Sequence, residues 1–208
     1  MPRPRLHQPD QILDAVESLA VESGPAAVTI RGISAAVGVS NGALYHSFGS
    51  RAGLLGHAWL RAGHRFFALQ NDLVDQAGPQ APVAAVVAAA DAPVVFAEKY
   101  PKSAELLLTV RRKQVVNADL PDEITAEMRE LNRLLIGLMI RLAVNLWDRK
   151  DALAVDTITT CIVDLPTAVL LQRKRLGRAT ARAHLRAAVH AVLEVGPPPM
   201  KKGKNDGD

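Results

Sequence analysis

The sequence contains almost no cysteine and few aromatic residues. Cys161 is the single cysteine among 208 residues, which excludes a disulfide framework and any zinc or iron–sulfur site built from several cysteines. Aromatic residues make up 4% of the chain, whereas alanine and leucine are abundant, so the composition favours helices. Hydrophobic residues at 49% and charged residues at 22% are usual for a globular protein of one or two domains.

The sequence also lacks the apolar segments that are typical of secreted and membrane proteins. Its start, MPRPRLHQPDQ, is basic and polar with no apolar stretch behind it, so we expect no secretory signal. Asp91 and Pro93 interrupt the apolar run at 81–97, and Arg141 interrupts the run at 134–147. Neither run reaches the roughly 18 residues that a membrane span needs. We therefore expect a cytoplasmic protein that makes no contact with a membrane.

Acidic residues are absent from one long stretch. Residues 24–70 contain no Asp or Glu, but they include four arginines, Arg31, Arg51, Arg61 and Arg65, and the histidines His46, His57 and His64. Such a stretch suits contact with a polyanion, because a carboxylate would repel phosphate. The net charge of +4 would not by itself indicate nucleic-acid binding. The alternative is a chance composition, with the acids just upstream on a solvated helix face: Asp10, Asp14, Glu17 and Glu22.

Periodic apolar positions predict an all-helical chain. A first helix begins near Asp10, and two short helices follow, capped by Thr29 and Ser40 and separated by Gly38. No convincing period-two strand and no internal repeat is present. Longer helices are predicted over residues 51–74, 81–98, 102–115, 123–147, 152–176 and 179–195.

Residues 28–55, VTIRGISAAVGVSNGALYHSFGSRAGLL, carry the most informative pattern. Each of the two short helices has apolar residues four positions apart, which give it a buried face: Ile33 with Val37, and Leu44 with Phe48. Gly38 suits the corner between them, because glycine adopts a positive φ at little cost. This is the pattern of a helix-turn-helix, whose second helix enters the major groove of DNA with its N-terminal residues facing the bases.

The same residues resemble the N-terminal signature of the TetR family of bacterial transcription regulators. The resemblance covers about residues 10–60 and is carried by Thr29–Ile33, Val37-Gly38-Val39-Ser40, Leu44-Tyr45, Phe48 and Arg51. It implies an all-α fold, in which a three-helix DNA-binding domain precedes a helical bundle for effector binding and dimerisation. Elsewhere the resemblance extends only to this general plan.

Three positions depart from the family pattern. Ser47 occupies a position where the family often has histidine or another residue with a ring. Arg51 occupies one where the family often has lysine, and Gly53 one where an acidic residue often completes a helix cap. Arg51 keeps the positive charge, and Ser47 can still donate a hydrogen bond to phosphate. The missing acid at position 53 removes a capping box, so we expect a weaker start to the helix there.

The resemblance implies a DNA-binding set made up of Thr29, Arg31, Ser40, Asn41, Gly42, Ala43, Tyr45, His46 and Arg51. Thr29 and Ser40 are helix caps beside which a phosphate would bind. Tyr45 and Arg51 match positions that contact the DNA backbone. Arg31 and Asn41 match positions that reach base edges, where arginine prefers guanine and asparagine prefers adenine.

The remaining members of this set offer less specific contacts. Gly42 and Ala43 allow close approach or a methyl contact with thymine, and His46 can reach a base or the backbone. Each residue alone has another interpretation, since a lone Tyr45 is more often a core ring and a lone Arg31 is usually a solvated charge. The combination at this spacing favours DNA binding.

The resemblance also implies the domain organisation and the partners. Residues 1–8 are expected to form a flexible basic arm, 9–50 the helix-turn-helix domain, 51–196 the effector and dimerisation domain, and 197–208 a disordered basic tail. The expected partners are double-stranded DNA with a near-palindromic operator, a second copy of the chain, and a small effector of unknown identity. No cofactor and no metal are expected. The implied function is that of a repressor that its effector releases from DNA.

The two C-terminal helices carry apolar stripes that suit a dimer interface but equally suit the core of one chain: Ile158, Ile162, Leu165, Val169, Leu185, Val189 and Val192. Pro166 predicts a kink within them, because proline removes a helical hydrogen bond. Cys161 is expected to be a small packed residue rather than a redox sensor. Among the middle helices, apolar candidates outnumber the basic group Arg111-Arg112-Lys113, which favours a hydrophobic effector. These unassigned candidates are Phe66, Phe67, Phe96, Tyr100, Met128, Leu135 and Met139.

Other classes of protein fit the sequence less well. A helical enzyme is disfavoured, because there is no HExxH, no phosphate-binding glycine loop and no base beside Cys161 in the sequence. A helical adaptor would not need the basic and hydroxyl groups of Arg31, Tyr45 and Arg51. A winged-helix regulator would need a β-hairpin after the second helix, where this sequence predicts a long helix.

Overall fold

A computed structural model describes residues 8–110 and 120–199 of the chain, and within these ranges the structure is helical with no strand. The predicted all-α fold is therefore confirmed. We number the helices α1 (Gln8–Ser23), α2 (Ile30–Val37), α3 (Asn41–Phe48), α4 (Arg51–Ala77), α5 (Pro82–Lys99), α6 (Pro101–Thr109), α7 (Asp122–Trp147), α8 (Ala152–Leu171) and α9 (Ala179–Val195).

Some of the predictions fall on other parts of the chain. The basic arm with Arg3 and Arg5, the group Arg111-Arg112-Lys113, the end of the helix predicted over 102–115 and the lysines of the tail lie outside the described residues.

Several helix ends differ from those predicted from the sequence. α4 continues to Ala77 rather than Val74 and ends before Gly78, which has a φ of 78°. α8 ends at Leu171 rather than at 176. Pro166 lies between two π-helical stretches, Thr160–Asp164 and Thr167–Leu171. The departure from α-helical hydrogen bonding thus falls where the proline predicts a disturbance.

The described chain divides into two compact units. The first comprises the described residues within Met1–Leu69 and Val95–Leu134, and the second those within Gln70–Val94 and Leu135–Asp208. Helices α4, α5 and α7 each contribute residues to both units, so the units do not follow the order of the sequence. The predicted boundary between residues 50 and 51 remains a prediction.

The first unit has an apolar core that includes the helix-turn-helix. Ile33 and Leu44 are fully buried, and Val37 and Val39 pack against the same cluster. Truncating such a side chain to alanine typically costs about 2–5 kcal/mol. The cluster also contains Val16 of α1, Leu54 of α4, Leu106 of α6 and Ile124 of α7. The position of α3 is therefore fixed by packing with helices from several parts of the chain.

The second unit buries most of the apolar stripe of the two C-terminal helices, for which the sequence allows either the core of one chain or a dimer interface. Ile158, Ile162, Leu185 and Val189 are buried within the single chain, so the core interpretation holds for them. Cys161 is also fully buried, and burial raises the pKa of its thiol to about 12. A thiol with this pKa stays protonated at neutral pH and is a poor nucleophile, as expected for a packed residue.

The second unit also contains a buried carboxylate. Asp91, which interrupts an apolar run of the sequence, is 4% exposed on α5. It accepts hydrogen bonds from Arg182 at 3.3 Å and from Arg186 at 2.6 Å, both on α9. The pairing explains how a charged residue is tolerated within an apolar helix, because buried charges require partners.

One helix of the described chain has the length and apolar composition of a membrane span, a segment that the sequence analysis overlooked. α8 has a mean hydropathy of 1.5, and 33% of its most apolar stretch is buried. Core helices of globular proteins share these properties, and α8 carries Asp156 and Asp164. The unburied part of α8 is a more apolar surface than a solvated helix usually has.

Candidate nucleic-acid interface

The ends of α2 and α3 are defined by the residues that the sequence predicts. The hydroxyl of Thr29 accepts a hydrogen bond from the Gly32 amide at 3.0 Å, and that of Ser40 accepts one from the Ala43 amide at 3.2 Å. Gly38 ends α2 in the left-handed conformation, with φ 69° and ψ 24°. Each hydroxyl satisfies an amide that the first turn of a helix leaves without a partner.

Helix α3 presents one buried and one exposed face. Leu44 and Phe48 are buried, whereas the first turn, Asn41, Gly42 and Ala43, is exposed together with His46. Tyr45 is 55% exposed, so its interpretation as a core ring is wrong. An exposed aromatic ring whose hydroxyl forms no hydrogen bond with any described residue is suited to contact with a partner.

Arg31 lies on α2 and is exposed. It forms no ion pair with any of the residues that the structure describes. Its guanidinium therefore retains its full hydrogen-bonding capacity for an external acceptor, which is what a base-edge or phosphate contact requires.

Arg51 has a different environment at the start of α4. Its Nε donates to the Val28 carbonyl at 2.6 Å, and one terminal nitrogen donates to the Pro25 carbonyl at 2.5 Å. These bonds tie the segment between α1 and α2 to the first residue of α4. The predicted contact between Arg51 and the DNA backbone remains a prediction, and it would use the other terminal nitrogen of the exposed guanidinium.

The turn between α3 and α4 explains the glycine at position 53. Gly49 has φ 68° and ψ −51°, and the Ser50 amide donates to the Phe48 carbonyl at 2.7 Å, so these three residues form a γ-turn. This turn brings the Phe48 carbonyl against Gly53, where an added Cβ would lie 1.9 Å from the oxygen. An acidic side chain therefore does not fit at position 53 with this turn.

The predicted weakness at the start of α4 is offset by the Phe48 carbonyl, which accepts a hydrogen bond from the Ser50 amide at 2.7 Å and so takes the role of the missing acid in a capping box. The Ser50 hydroxyl accepts a hydrogen bond from the Gly53 amide at 3.0 Å, which caps the helix without an acid. Ser50 is not identified as the N-cap of α4 in the sequence analysis, which considers only the missing acid at position 53.

Two arginines of the acid-free stretch do not belong to the candidate interface. Arg61 donates to Glu17 at 2.7 Å and to Asp14 at 2.7 Å, and Arg65 lies 3.6 Å from Glu17. The prediction that Arg61 and Arg65 face a polyanion is therefore wrong. The alternative interpretation, which places Glu17 with the other upstream acids on a solvated helix face, is also wrong for Glu17, since it is 3% exposed.

The cluster around Glu17 joins three helices of the first unit. The Ser103 hydroxyl on α6 donates to Glu17 on α1 at 2.8 Å, and Arg61 on α4 donates to the same carboxylate. Burial lowers the pKa of Arg61, but the hydrogen bond and charge of Glu17, with those of Asp14, raise it further than burial lowers it. A buried pair of this kind typically costs about 3–5 kcal/mol when one partner is removed. The cluster therefore fixes α1, which supports the helix-turn-helix.

The aromatic residues considered for an effector site are partly brought together. Phe96 packs edge to face with Phe66 at 5.3 Å between ring centroids and lies 5.5 Å from Tyr100. Phe96, Met128 and Met139 are buried. These contacts are those of a packed core, and they assign no effector site.

Comparison with known proteins gives a family match over the region that contains the candidate interface. Residues 12–58 match the family described as bacterial regulatory proteins, tetR family. This range contains most of α1, all of α2 and α3 and the beginning of α4, and therefore the whole set of candidate DNA-binding residues. No curated protein matches the chain significantly in sequence.

Solved structures show that the likeness in fold extends over almost the whole chain. A TetR-like transcriptional regulator from Rhodococcus sp. RHA1 has a TM-score of 0.66 at 20% identity and covers 93% of this chain and 99% of its own. The ketosteroid transcriptional regulator KstR2 of Mycobacterium tuberculosis has a TM-score of 0.62 at 16% identity, with 94% and 98% covered. The fatty acid degradation regulator FadR from Bacillus halodurans has a TM-score of 0.64 at 15% identity, with 88% and 97% covered. At these identities the likeness concerns the fold alone.

Proposed function

We propose that this chain, whose N-terminal region belongs to the tetR family of bacterial regulatory proteins, is a cytoplasmic repressor that a small molecule releases from DNA. In this proposal residues 9–50 bind DNA and residues 51–196 bind the effector and dimerise. They are flanked by a basic arm at 1–8 and a basic tail at 197–208. The proposal does not include an enzymatic activity or a cofactor.

The observation that carries the proposal is the exposed first turn of α3. Asn41, Gly42 and Ala43 point away from a core that buries Leu44, and the capping hydroxyl of Ser40 lies beside them. Small side chains at the N-terminus of a helix allow the close approach to base edges that a recognition helix needs. Thr29, Arg31, Tyr45 and His46 supply exposed polar groups around this turn, and positioning by phosphate contacts would fall to them and to Arg51.

A second copy of the chain is the proposed partner of α8. The leucine and valine residues of this helix that are not buried are Leu153, Val155, Val163, Leu165, Val169 and Leu171, and we call them the α8 surface. Leu153 is 40% exposed, and Val195 at the end of α9 is 87% exposed. An apolar surface of this kind on a folded chain is typical of an interface between proteins. A dimer would place two copies of α3 on half-sites about 34–36 Å apart.

The proposed effector is a hydrophobic small molecule. Two regulators with a similar fold are named for ketosteroids and for fatty acid degradation, and both names refer to molecules that are mostly hydrocarbon. This similarity, together with the apolar candidates in the sequence, supports a hydrophobic effector. The effector would weaken DNA binding by favouring a conformation that does not match the operator, and operator DNA would weaken effector binding by the same factor.

Selection of bound DNA from a random pool tests the proposal directly. We expect the full-length protein to enrich a near-palindromic sequence and to protect two half-sites on the same side of the duplex. Addition of metabolite mixtures to the complex should then identify a fraction that releases the DNA. Enrichment of a single asymmetric half-site occupied by a monomer would contradict the dimeric arrangement. Failure to enrich any sequence would contradict the DNA-binding function.

A further inference from the structure

The second unit contains another stretch without acidic residues. Residues 165–193 contain no Asp or Glu, but they include five arginines and one lysine. Two of these six cations, Arg182 and Arg186 on α9, bind the buried carboxylate of Asp91. The other four lie in the connection between α8 and α9, whose residues 172–178 we call the basic loop: Arg173, Lys174, Arg175 and Arg178.

The backbone of the basic loop holds these four cations close together. The Arg175 amide donates to the Leu170 carbonyl at 2.7 Å, and the Arg178 amide donates to the Arg175 carbonyl at 2.9 Å, so the loop consists of tight turns. Arg173, Lys174 and Arg178 are exposed, and Arg175 is half-buried. None of the four forms an ion pair with a residue that the structure describes. Their mutual repulsion favours the binding of an external anion.

The acid-free stretch that contains the helix-turn-helix has less unpaired positive charge than the basic loop. Of its four arginines, Arg61 and Arg65 are bound to Glu17, which leaves Arg31 and Arg51 without an ion pair among the described residues. An acid-free surface with unpaired cations suits a polyanion, because the cations replace the counterions of the phosphates. The basic loop meets this criterion with more cations in a shorter segment.

The other residues of the basic loop indicate which polyanion it suits. The loop contains no aromatic residue, so it cannot stack on the bases of a single-stranded nucleic acid. Its single leucine, Leu176, is half-buried, so the loop lacks the exposed apolar side chain that stable binding to a membrane needs besides positive charge. Recognition by charge alone suits the closely spaced phosphates of a double helix.

We infer that the basic loop binds the phosphate backbone of duplex DNA without sequence preference, as a second DNA contact besides the candidate interface at α3. This contact requires neither an operator nor an effector. It would increase the affinity of the protein for any duplex, because arginine and lysine contacts with phosphate carry no sequence information.

Two variants with equal loss of charge test this contact. The loop variant replaces three exposed cations of the basic loop by glutamine: Arg173→Gln, Lys174→Gln and Arg178→Gln. The control variant replaces three exposed cations of other segments by glutamine: Lys99→Gln, Arg129→Gln and Lys150→Gln. Because all six side chains are exposed, both full-length variants should fold, and thermal unfolding checks this.

The measurement is a titration of each full-length protein with a duplex of unselected sequence, about 24 base pairs long, at several NaCl concentrations. At about 0.1 M NaCl the loop variant should bind at least roughly tenfold more weakly than the control variant. The slope of the logarithm of affinity against the logarithm of salt concentration should be smaller by roughly two to three, one for each phosphate contact that is lost. Equal affinities and slopes for the two variants would overturn the inference.

Vesicles that contain phosphatidylserine test the other partner. Binding of these vesicles that requires the basic loop, with DNA binding equal in the two variants, would assign the loop to an anionic membrane and overturn the inference. The proposed function fails separately. If the random pool yields no operator but the loop variant loses affinity for the unselected duplex, the second contact stands and the regulatory function does not. If an operator is selected and both variants bind the unselected duplex equally, the reverse holds.

Discussion

The helix-turn-helix and α8 both expose residues that the core of one chain does not use, but the two surfaces differ in chemistry. α3 exposes small and polar groups, among them Asn41 and Tyr45, with Arg31 exposed on α2. The α8 surface is aliphatic. The polar side chains of α2 and α3 contribute binding energy through hydrogen bonds to an anionic, hydrated partner. The aliphatic side chains of α8 contribute binding energy when an interface removes them from water. The difference suits the two partners proposed for this chain, DNA at α3 and a second copy of the chain at α8.

The largest effect is expected from a charge on the α8 surface. Leu153→Glu should raise the dissociation constant of the dimer by roughly 30-fold or more, because an unpaired charge at an interface typically costs about 2–5 kcal/mol. DNA affinity should fall with the loss of dimer. Sedimentation and DNA titration measure the two effects.

Val83→Glu is the matched control for this substitution. Val83 is the second residue of α5, as Leu153 is of α8, and their exposures are 37% and 40%. A carboxylate at the second position suits both helix N-termini, so neither variant should lose helix stability. Equal dimerisation of both variants and the unchanged protein would show that α8 is not the interface.

A smaller and more specific effect is expected at α3. Asn41→Ala should lower affinity by about 1–3 kcal/mol for the preferred operator and relax the base preference at one position, if the side chain forms a bidentate contact with a base. The dependence of affinity on salt should not change, because no phosphate contact is removed. Repeating the selection with the variant measures the base preference. A uniform loss on all sequences would instead assign Asn41 to the DNA backbone.

A single methyl group tests whether the first turn of α3 approaches DNA closely. An added Cβ at Gly42 meets no atom within 4 Å, and the same holds at Gly137 on α7. Both Gly42→Ala and Gly137→Ala should therefore stabilise the free protein by about 0.5–1 kcal/mol, since alanine favours helix. Only Gly42→Ala should weaken DNA binding. Thermal unfolding and DNA titration compare the pair, and equal DNA affinity would mean that position 42 does not face the DNA.

The smallest effect concerns the cap of α8 and depends on pH. A hydrogen bond from Arg149 lowers the pKa of Asp151 from 3.8 to about 2, although partial burial opposes it and the Ala154 amide assists. Because the pKa is lower in the folded state, the stabilisation is complete above the unfolded value and is lost as the pH falls towards 2. The difference in melting temperature between the unchanged protein and Asp151→Asn should therefore shrink between pH 4 and pH 2. A constant difference would show that the charge of Asp151 does not contribute.

The sequence predicts those features that depend on neighbours along the chain. The caps Thr29 and Ser40 and the left-handed Gly38 are local, because a cap or a turn involves residues at most a few positions apart. The buried faces of α2 and α3 follow from periodicity in the same way. These features determine most of the candidate interface.

Features that depend on distant residues were not predictable in this way. Arg61 lies within an acid-free stretch, but its partner Glu17 is 44 positions away in the sequence. The contact between Gln70 and the Ala89 carbonyl is likewise visible only once α4 and α5 are packed. The composition of a stretch of sequence gives its total charge. Which of its charged side chains are exposed to solvent depends on contacts with distant residues, which form only in the folded chain.

The close approach of Gly53 to the Phe48 carbonyl has a consequence for the evolution of this chain. Any mutation of this codon that adds a side chain places a Cβ 1.9 Å from a backbone oxygen, so selection would remove it while the γ-turn at Gly49 persists. A lineage could acquire an acid at position 53 only after a change in the turn, or together with one. Positions 49 and 53 therefore constrain the order in which mutations can be accepted. A reconstruction of the ancestral loop must infer the residues at both positions together.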